Sequence, residues 1–409
     1  MKQKSVLFLS YDGLLDPLGQ SQILPYIEDI SKHPRKVHVI TFEKQDRYRV
    51  GGEALRHRLR GEIVWTALRF TSYFGLLGKL WDLIRMYVTA GYIVLIERPQ
   101  IVHCRSYPSM QVGLLLKRLF NCKLIFDMRG LWVDDKVEGG LWPQSRFIYR
   151  LIYKTYKRLE RVMLYNSNHI VVLTKRVIPE LKRIAPGLDA PITVVPCCAD
   201  YGHYKYDRCQ RRNVRRKLGI RETSPVLVYL GSIGTVYLFD EVLQTFIECS
   251  QKVEDLHLLV VSQSWTIALE QRIKTDVDPK LHSRIHFCAA SRTEVPSYLS
   301  ASDVMLNFRK ATYSQMACSP TKLAEAFAVG LPVISNKGVG DQDQIIPDVG
   351  GGALIDLNMQ GDIEIICSVL MNLNERIRDR IRYVTQSRFG REASARLYNE
   401  VYISLDCDG

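Results

Sequence analysis

The chain alternates short apolar runs with segments whose apolar residues recur at helical spacing, almost from end to end. In its first half the runs are bounded, rich in β-branched residues and of strand length. They are SVLFLS, KVHVITF, EIVWTAL, IVHCRS, KLIFDMR, HIVVLT and ITVVPC. Because strands that alternate with helices favour a parallel sheet, this half predicts a doubly wound α/β domain.

The alternation stops at Pro196, and residues 201–223 are polar and basic. It then restarts with PVLVYLGS, LHLLVVS, RIHFCAA, DVMLNF, LPVIS and GALIDL, and residues 360–405 have a helical pattern. We therefore predict two Rossmann-like domains that face each other across a cleft, with ligand-binding residues just after the strands.

The boundaries follow from the same pattern. The N-terminal domain is predicted over residues 1–196 and the C-terminal domain over residues 197–385. Residues 386–409 are predicted to form a helix that packs back on the N-terminal domain.

The stretch SPTKLAEAFAVGLPVIS, residues 319–335, reads as a helix followed by a strand. Ser319 is expected to cap the helix, with Pro320 at its first position. Gly330 supplies the left-handed residue that ends a helix, and LPVIS resembles a buried strand.

Polar side chains gather at the start of this helix. Arg309 and Lys310 follow the preceding strand, and Thr321 and Lys322 lie at the helix N-terminus. Cations beside free amides predict an anion site. Glu325 lies one turn deeper, where a carboxylate can accept hydrogen bonds from both hydroxyls of a ribose. The alternative is a set of solvated charges.

Two loops between a strand and a helix could let backbone amides approach a phosphate. The loop at residues 231–235 contains Gly231, Ser232, Gly234 and Thr235, and a helix is expected near Phe239. The first loop contains Gly13 and Gly19, and a helix is expected near Ser21. For the first loop a plain turn remains the alternative, since its spacing is not G-x-G-x-x-G.

Four polar residues fall inside or after adjacent strands of the N-terminal domain: His103, Arg105, Asp127 and Arg129. Neighbouring strand ends would bring them to one rim of the cleft. Each taken alone could instead be a core histidine or a member of an ion pair.

Charge and cysteine content narrow the class of protein. The 409 residues carry a formal net charge of +13, which predicts an anionic partner such as nucleic acid, a membrane surface or a phosphorylated substrate. The ten cysteines include no C-x-x-C pair, so we predict a reduced, cytoplasmic protein without a zinc site. The apolar run MYVTAGYIVLI is about half as long as the roughly 20 residues that a membrane span needs.

Taken together, these motifs resemble the retaining glycosyltransferases of GT-B fold, in the broad family 4 group. PTKLAEAFAVGLPVIS is similar to the family's helix with a ribose-binding glutamate, which maps onto Glu325. GSIGTVYLFDEVLQTF resembles its phosphate-binding turn, DPLGQSQILPYI its first glycine loop, and ITVVPCCAD its crossing between domains. VHCRS and FDMRG occupy strand ends where the family places sugar-contacting and catalytic groups.

The resemblance implies transfer of a sugar from a nucleotide-diphosphate donor to an acceptor hydroxyl, with retained configuration, no cofactor and no essential metal. The N-terminal domain would bind the acceptor and the C-terminal domain the nucleotide sugar. His103, Lys310 and Lys322 are the implied catalytic residues, with His103 on the donor sugar. The implied acceptor or sugar contacts are Arg105, Asp127 and Arg129. The implied donor contacts are Gly19, Gly231, Ser232, Gly234, Thr235, Arg309, Ser319, Thr321 and Glu325.

The sequence departs from the family at two places. Ser232 and Tyr237 stand where many relatives have an arginine and a lysine in the phosphate turn, and Ala317 stands where they have a second glutamate. We expect Lys310, Thr321 and Lys322 to supply the missing charge.

Residues 145–165 are basic and rich in tyrosine, with apolar residues at helical spacing. Such a helix could lie on an anionic membrane near a lipid-linked acceptor, at the inner face of the cytoplasmic membrane, or it could be a buried helix with a basic face. The leading hypothesis is a glycosyltransferase that builds a bacterial-type surface polysaccharide such as lipopolysaccharide. The alternatives are a sugar-nucleotide epimerase of the same fold and a non-catalytic basic protein. No zinc finger or aromatic-basic strand supports nucleic-acid binding.

Overall fold

The computed structural model describes residues 4–32, 35–61, 63–357 and 361–407. The chain divides into two compact units. Unit 1 comprises Met1–Val137, Leu141–Pro196 and Arg391–Gly409, and unit 2 comprises Glu138–Gly140 and Cys197–Gly390. The chain therefore leaves unit 1 after Pro196 and returns to it at Arg391.

Unit 1 is built on a parallel sheet of seven strands in the order β3-β2-β1-β4-β5-β6-β7. The strands are β1 (Lys4–Ser10), β2 (Arg35–Glu43), β3 (Ile63–Arg69), β4 (Ile101–Arg105), β5 (Lys123–Asp127), β6 (His169–Val172) and β7 (Ile192–Val194). They coincide with the apolar runs of the sequence, and the predicted doubly wound sheet is confirmed. The strand order reverses between β1 and β4, which is where such sheets bind ligands.

Helices connect the strands of unit 1. They are α1 (Pro17–Gln22), α2 (Leu24–Ser31), α3 (Gln45–Arg58), α4 (Gly75–Glu97), α5 (Ser106–Phe120), α6 (Trp132–Glu138), α7 (Phe147–Asn166) and α8 (Ile178–Ile184). The first helix begins at Pro17, before the predicted Ser21, because proline suits the first helical position. None of the helices among the described residues combines the length and the apolar character that a bilayer-spanning segment requires.

Unit 2 has a parallel sheet of six strands in the order β10-β9-β8-β11-β12-β13. The strands are β8 (Val226–Leu230), β9 (His257–Val261), β10 (Ile285–Cys288), β11 (Val304–Asn307), β12 (Val333–Asn336) and β13 (Ala353–Ile355). Each was predicted from its apolar run. The order reverses between β8 and β11, so the loops after these two strands lie at the ligand-binding position of the sheet.

The helices of unit 2 begin with α9 (Arg208–Leu218), α10 (Phe239–Ser250), α11 (Ile267–Asp276), α12 (Pro279–His282) and α13 (Val295–Ala301). They continue with α14 (Thr321–Val329), α15 (Gln342–Val349), α16 (Asp362–Met371) and α17 (Glu375–Phe389). The last helix, α18 (Arg391–Cys407), belongs to unit 1 and packs against α2.

Helix α9 was not predicted from the basic stretch at residues 201–223. Its Arg215 is fully buried and donates to the carbonyl oxygens of Ala301 and Ser224 at 2.9 and 2.8 Å, and to the carboxylate of Asp303 at 2.8 Å. These partners satisfy a guanidinium that could not otherwise be buried. The sequence pattern marks this stretch only as polar and basic, and nothing in it distinguishes Arg215, because arginine is almost never fully buried unless it is paired.

Candidate functional site

Helix α14 of unit 2 begins one residue later than predicted. Pro320 occupies the N-cap position with an extended backbone, and no side chain caps the helix. Ser319 therefore does not cap it; its hydroxyl accepts a hydrogen bond from the amide of Cys197 at 3.1 Å. The amide of Leu323 donates to the carbonyl of Pro320 at 3.1 Å, but no described residue accepts from the amides of Thr321 and Lys322, so these two can bind an anion.

Lys322 of α14 extends over the loop that follows β8. Gly231 in this loop has φ +145°, and a Cβ built on it would lie 1.9 Å from Lys322 Nζ. Glycine is thus needed here both for its backbone conformation and for the room it leaves to the lysine. Lys322 Nζ also lies 4.1 Å from the ring centroid of Tyr237, a cation–π distance.

Arg309 approaches the same ring from β11. Its Cζ lies 4.6 Å from the Tyr237 ring centroid, and Tyr237 and Arg309 form an isolated antiparallel bridge. The guanidinium is buried and donates through Nε and one terminal nitrogen to Gln315 Oε1, at 3.0 and 2.8 Å. Arg309 is therefore committed to the protein interior, which argues against its predicted role as a direct phosphate ligand. Lys310, the next residue, is exposed.

The positive charges of Lys322 and Arg309 act on the buried phenol of Tyr237. Burial raises the pKa of its phenol, but the cations of Lys322 and Arg309 outweigh burial and leave the pKa below its usual value. The field at the end of β8 therefore favours negative charge. Lys322 thus places a cation beside Tyr237, one of the two residues at which the sequence departs from the family.

Glu325 lies one turn further along α14. Tyr204 donates a hydrogen bond to its Oε1 at 3.0 Å. Burial raises the pKa of the carboxyl, and the Tyr204 bond and the charges of Lys322 and Arg292 reduce that rise. Among the described residues no hydrogen-bond donor reaches Oε2, so this oxygen can still accept a bond from a ligand.

The other predicted donor contacts of unit 2 surround these groups. Ser232, Gly234 and Thr235 are exposed in the loop after β8, with φ +98° at Gly234 and +57° at Thr235. The carbonyl of Ser232 accepts a hydrogen bond from the Tyr229 hydroxyl, which holds the loop against the sheet. Thr321 is half-buried at the first helical position.

In unit 1 the first glycine loop binds a carboxylate of its own chain. Glu43 accepts hydrogen bonds from the amides of Leu14 and Leu15, at 2.7 and 3.1 Å. Gly19 lies within α1, and a Cβ on it would be 1.8 Å from the carbonyl oxygen of Gly13. Gly19 is thus required for close packing of α1 on the loop. Its role in phosphate binding stays a prediction.

The four polar residues of β4 and β5 do come together, as predicted. Asp127 Oδ2 lies 3.6 Å from His103 Nε2 and 3.5 Å from an Arg105 nitrogen, and Asp127 Oδ1 lies 3.9 Å from Arg129. Burial would raise the pKa of Asp127, but the charge of Arg129, the interaction with His103 and the charge of Arg105 lower it to about 2. This cluster is an ion network, with the carboxylate charged at neutral pH.

Helix α18 covers this network. Tyr398 donates to Asp127 Oδ2 at 3.0 Å, and the Tyr402 hydroxyl lies 2.6 Å from His103 Nδ1. His103 is in the middle of β4 with 0% exposure, beside the ring of Phe8 at 4.4 Å between centroids. No part of the His103 side chain is exposed in this structure, so its contact with a donor sugar has no geometric support and stays a prediction.

Comparisons with known proteins agree with the fold and with the motifs. A family model described as "Glycosyl transferase 4-like domain" matches residues 32–198. A second, described as "Glycosyl transferases group 1", matches residues 224–372. The chain belongs to the glycosyltransferases of GT-B fold, in the family 4 group.

Solved structures resemble the glycosyltransferase over nearly its whole length. Anabaena HepE in complex with UDP-glucose has a TM-score of 0.71 at 14% identity, covering 98% of this chain and 99% of that one. Sucrose-phosphate synthase from Thermosynechococcus elongatus has a TM-score of 0.69 at 16% identity, covering 99% and 100%. WaaG, involved in lipopolysaccharide biosynthesis, has a TM-score of 0.65 at 17% identity, covering 95% and 98%. A comparison with curated protein sequences finds no match.

Three residues of this candidate site were not predicted from the sequence: Tyr204, Arg292 and Tyr237. Tyr204 and Arg292 act on Glu325 from more than 30 positions away, and no local pattern marks them. Tyr237 was noted only as a departure from the family. In the part of the chain that the structure describes, no three His, Cys, Asp or Glu side chains are placed to hold a metal ion.

Proposed function

We propose that this glycosyltransferase moves a sugar from a nucleotide-diphosphate donor to a hydroxyl of a glycan or lipid-linked acceptor, with retained anomeric configuration and without an essential metal. The observation that carries the proposal is the position of Lys322. Its ammonium lies over Gly231 and the Tyr237 ring, beside the uncapped first turn of α14.

This arrangement suits the charge that develops during the reaction. As the glycosidic bond breaks, negative charge builds on the departing diphosphate, and preorganised cations and amides stabilise it most. Lys322, the amides at the start of α14 and the loop at residues 231–235 supply such groups. Exposed Lys310 can add a further cation, which is why no metal is required in the proposal.

Glu325 supports a ribose position beside the diphosphate. Its Oε1 is held by Tyr204 at 3.0 Å, which fixes the carboxylate while leaving Oε2 for sugar hydroxyls. The complex of Anabaena HepE with UDP-glucose makes UDP the first nucleotide to test.

The state of Asp127 supports a mechanism without a protein nucleophile. The carboxylate is 1% exposed and its pKa is lowered to about 2, so it is both inaccessible and a poor base. The departing phosphate would instead take the proton of the acceptor hydroxyl on the face from which it leaves. Arg129, which is partly exposed, is the acceptor contact that we retain, since Arg105 is buried with Asp127.

Helix α7 supports a lipid-linked acceptor at the cytoplasmic face of a membrane. Phe147 is 74% exposed, and Leu151 is also exposed. Arg150, Lys154 and Arg158 are exposed on the same helix. Apolar side chains between cations suit an anionic lipid surface.

The test of donor binding is a thermal-shift titration with UDP, GDP, ADP, CMP and dTDP. Stabilisation by one nucleotide is expected for the wild type and should be smaller for Glu325→Gln, which keeps the shape of the side chain. Glu254→Ala, an exposed glutamate elsewhere in unit 2, should respond as the wild type does. No stabilisation by any nucleotide would refute the donor assignment.

The configuration and metal requirement need a separate assay. Product formed in the presence of EDTA should carry the anomeric configuration of the donor, as read from its proton NMR coupling. An inverted product, or activity abolished by EDTA and restored by Mg²⁺, would contradict that part of the proposal. Release of an epimerised free nucleotide sugar would favour the epimerase alternative.

A further inference from the structure

Helix α4 of unit 1 presents an apolar stripe to solvent. We call it the α4 face and define it as Leu77, Trp81, Ile84, Val88, Tyr92 and Leu95, which recur at intervals of three and four. Leu77 is 72% exposed, Val88 68% and Tyr92 65%. Exposed apolar surface of this extent marks a binding surface more often than an ordinary surface.

The α4 face cannot turn inward. The opposite side of the helix packs on unit 1 through Gly78, Asp82 and Met86. Asp82 is fully buried and accepts hydrogen bonds from the Tyr11 hydroxyl at 3.0 Å and from the hydroxyl of Thr71 at 2.7 Å. Rotation of α4 would break these bonds, so its outer face needs a partner of its own.

The helices beside α4 have an unusual charge distribution. Helix α5 packs against both α4 and α7 and contains no acidic residue. The acidic residues of α4 and α7 are Asp82, Glu97 and Glu160. Asp82 and Glu160 are buried, and Glu97 is paired with Lys36 at 3.0 Å.

Cations are exposed on the same three helices. They are Lys79 on α4, Arg118 on α5 and Arg150, Lys154, Arg158 and Arg161 on α7. An apolar stripe beside a basic surface without exposed acids is complementary to an anionic bilayer.

We propose that the α4 face inserts into the interfacial region of an anionic lipid bilayer, with the cations of α5 and α7 on the headgroups. The stripe from Leu77 to Leu95 is about 27 Å long, so α4 would lie in the plane of the bilayer. A second copy of the chain is the competing occupant. It would bring two sets of exposed cations together, which disfavours it.

This inference rests on the proposed function in one respect, since both take an anionic membrane as the partner. It is independent of sugar transfer, because the binding is measured without nucleotide or acceptor. A failure of lipid binding would leave donor binding and turnover on a soluble acceptor intact.

The test is co-sedimentation of the full chain with vesicles of phosphatidylcholine containing 30% phosphatidylglycerol. Leu77→Gln with Val88→Gln is expected to weaken binding about tenfold or more, because two large apolar side chains no longer enter the interface. The matched control is Ile267→Gln with Met371→Gln, two side chains of unit 2 that are each 74% exposed. Both double variants should melt with the wild type in the absence of lipid.

The depth to which the α4 face inserts is measured through the fluorescence of Trp81. Brominated acyl chains should quench its fluorescence in the wild type, and Trp81→Phe should lose that quenching while still sedimenting with vesicles. The proposal would be overturned if the α4 double variant bound vesicles as strongly as the wild type does. It would also be overturned if the brominated chains did not quench the fluorescence of the wild type. The proposal would also be overturned if the wild type were a dimer and the Leu77→Gln, Val88→Gln variant a monomer with unaltered vesicle binding. A second copy of the chain would then be what covers the α4 face.

Discussion

Replacing Asp127 with asparagine tests how much the buried ion network of unit 1 contributes to stability. The wild-type carboxylate has a pKa of about 2, against an ordinary value of 3.8. A difference of nearly two pKa units corresponds to about 2 kcal/mol at neutral pH. Asparagine also leaves Arg105 and Arg129 largely buried without their carboxylate, and breaking a buried pair costs about 3–5 kcal/mol. We expect a loss of about 3 kcal/mol.

The measurement is urea unfolding followed by tryptophan fluorescence. Trp65, Trp81, Trp132 and Trp142 all lie in unit 1, so the signal reports chiefly on that unit. Asp46→Asn, an exposed change in the same unit, should cost less than about 0.5 kcal/mol.

The dependence on pH gives the sharper test. Because the folded-state pKa of Asp127 is depressed, its contribution is fully present above the unfolded pKa near 4 and is lost as pH falls towards about 2. The difference between the wild type and Asp127→Asn should therefore be constant from pH 7 to 5 and shrink between pH 4 and 3. A difference below about 1 kcal/mol at pH 7, or one that does not shrink, would refute this reasoning.

Three further predictions concern unit 2. Lys322→Met should lower kcat about 10²- to 10³-fold in a transfer assay, because it removes a preorganised cation from the leaving group; an unchanged kcat would exclude that role. When the pH is lowered, nucleotide affinity measured by calorimetry should begin to fall at a higher pH than it would with an ordinary carboxyl. The reason is that burial raises the pKa of Glu325, and only the charged form accepts two hydroxyl bonds. Gly330→Ala should destabilise unit 2 by about 1–3 kcal/mol in chemical denaturation, because φ is +74° and the new Cβ would lie 2.4 Å from the carbonyl oxygen of Arg378. Gly219→Ala, at φ +69° with open space around it, should cost less than Gly330→Ala.

The sheets could be predicted because buried parallel strands leave continuous apolar runs in the sequence. The end of α14 was also predictable, since Gly330 at φ +74° supplies the left-handed residue that the helix requires. The start of α14 was not, because Ser319 bonds to the amide of Cys197, 122 positions away. A local capping rule cannot anticipate such a competing partner.

The candidate site shows the same division between local and distant information. Lys322 and Glu325 share a face of one helix, so their spacing alone places them together. A core histidine was one expectation for His103, but its partner Tyr402 could not be predicted, because it lies 299 positions further along the chain. The position of Arg309 in the sequence likewise suggested a phosphate ligand. In the structure it donates hydrogen bonds to Gln315 and lies over the ring of Tyr237.

The position of α18 has a consequence for biosynthesis. Tyr398 and Tyr402 complete the interior of unit 1, yet the ribosome adds them after all of unit 2. Most of unit 1 leaves the ribosomal exit tunnel before unit 2, but its last helix is synthesised after unit 2. Until then Asp127 and His103 of the nascent chain are not covered by α18. A fragment that stops at Pro196 should accordingly be a poor independent folder, and adding a separate peptide of residues 391–409 should rescue it.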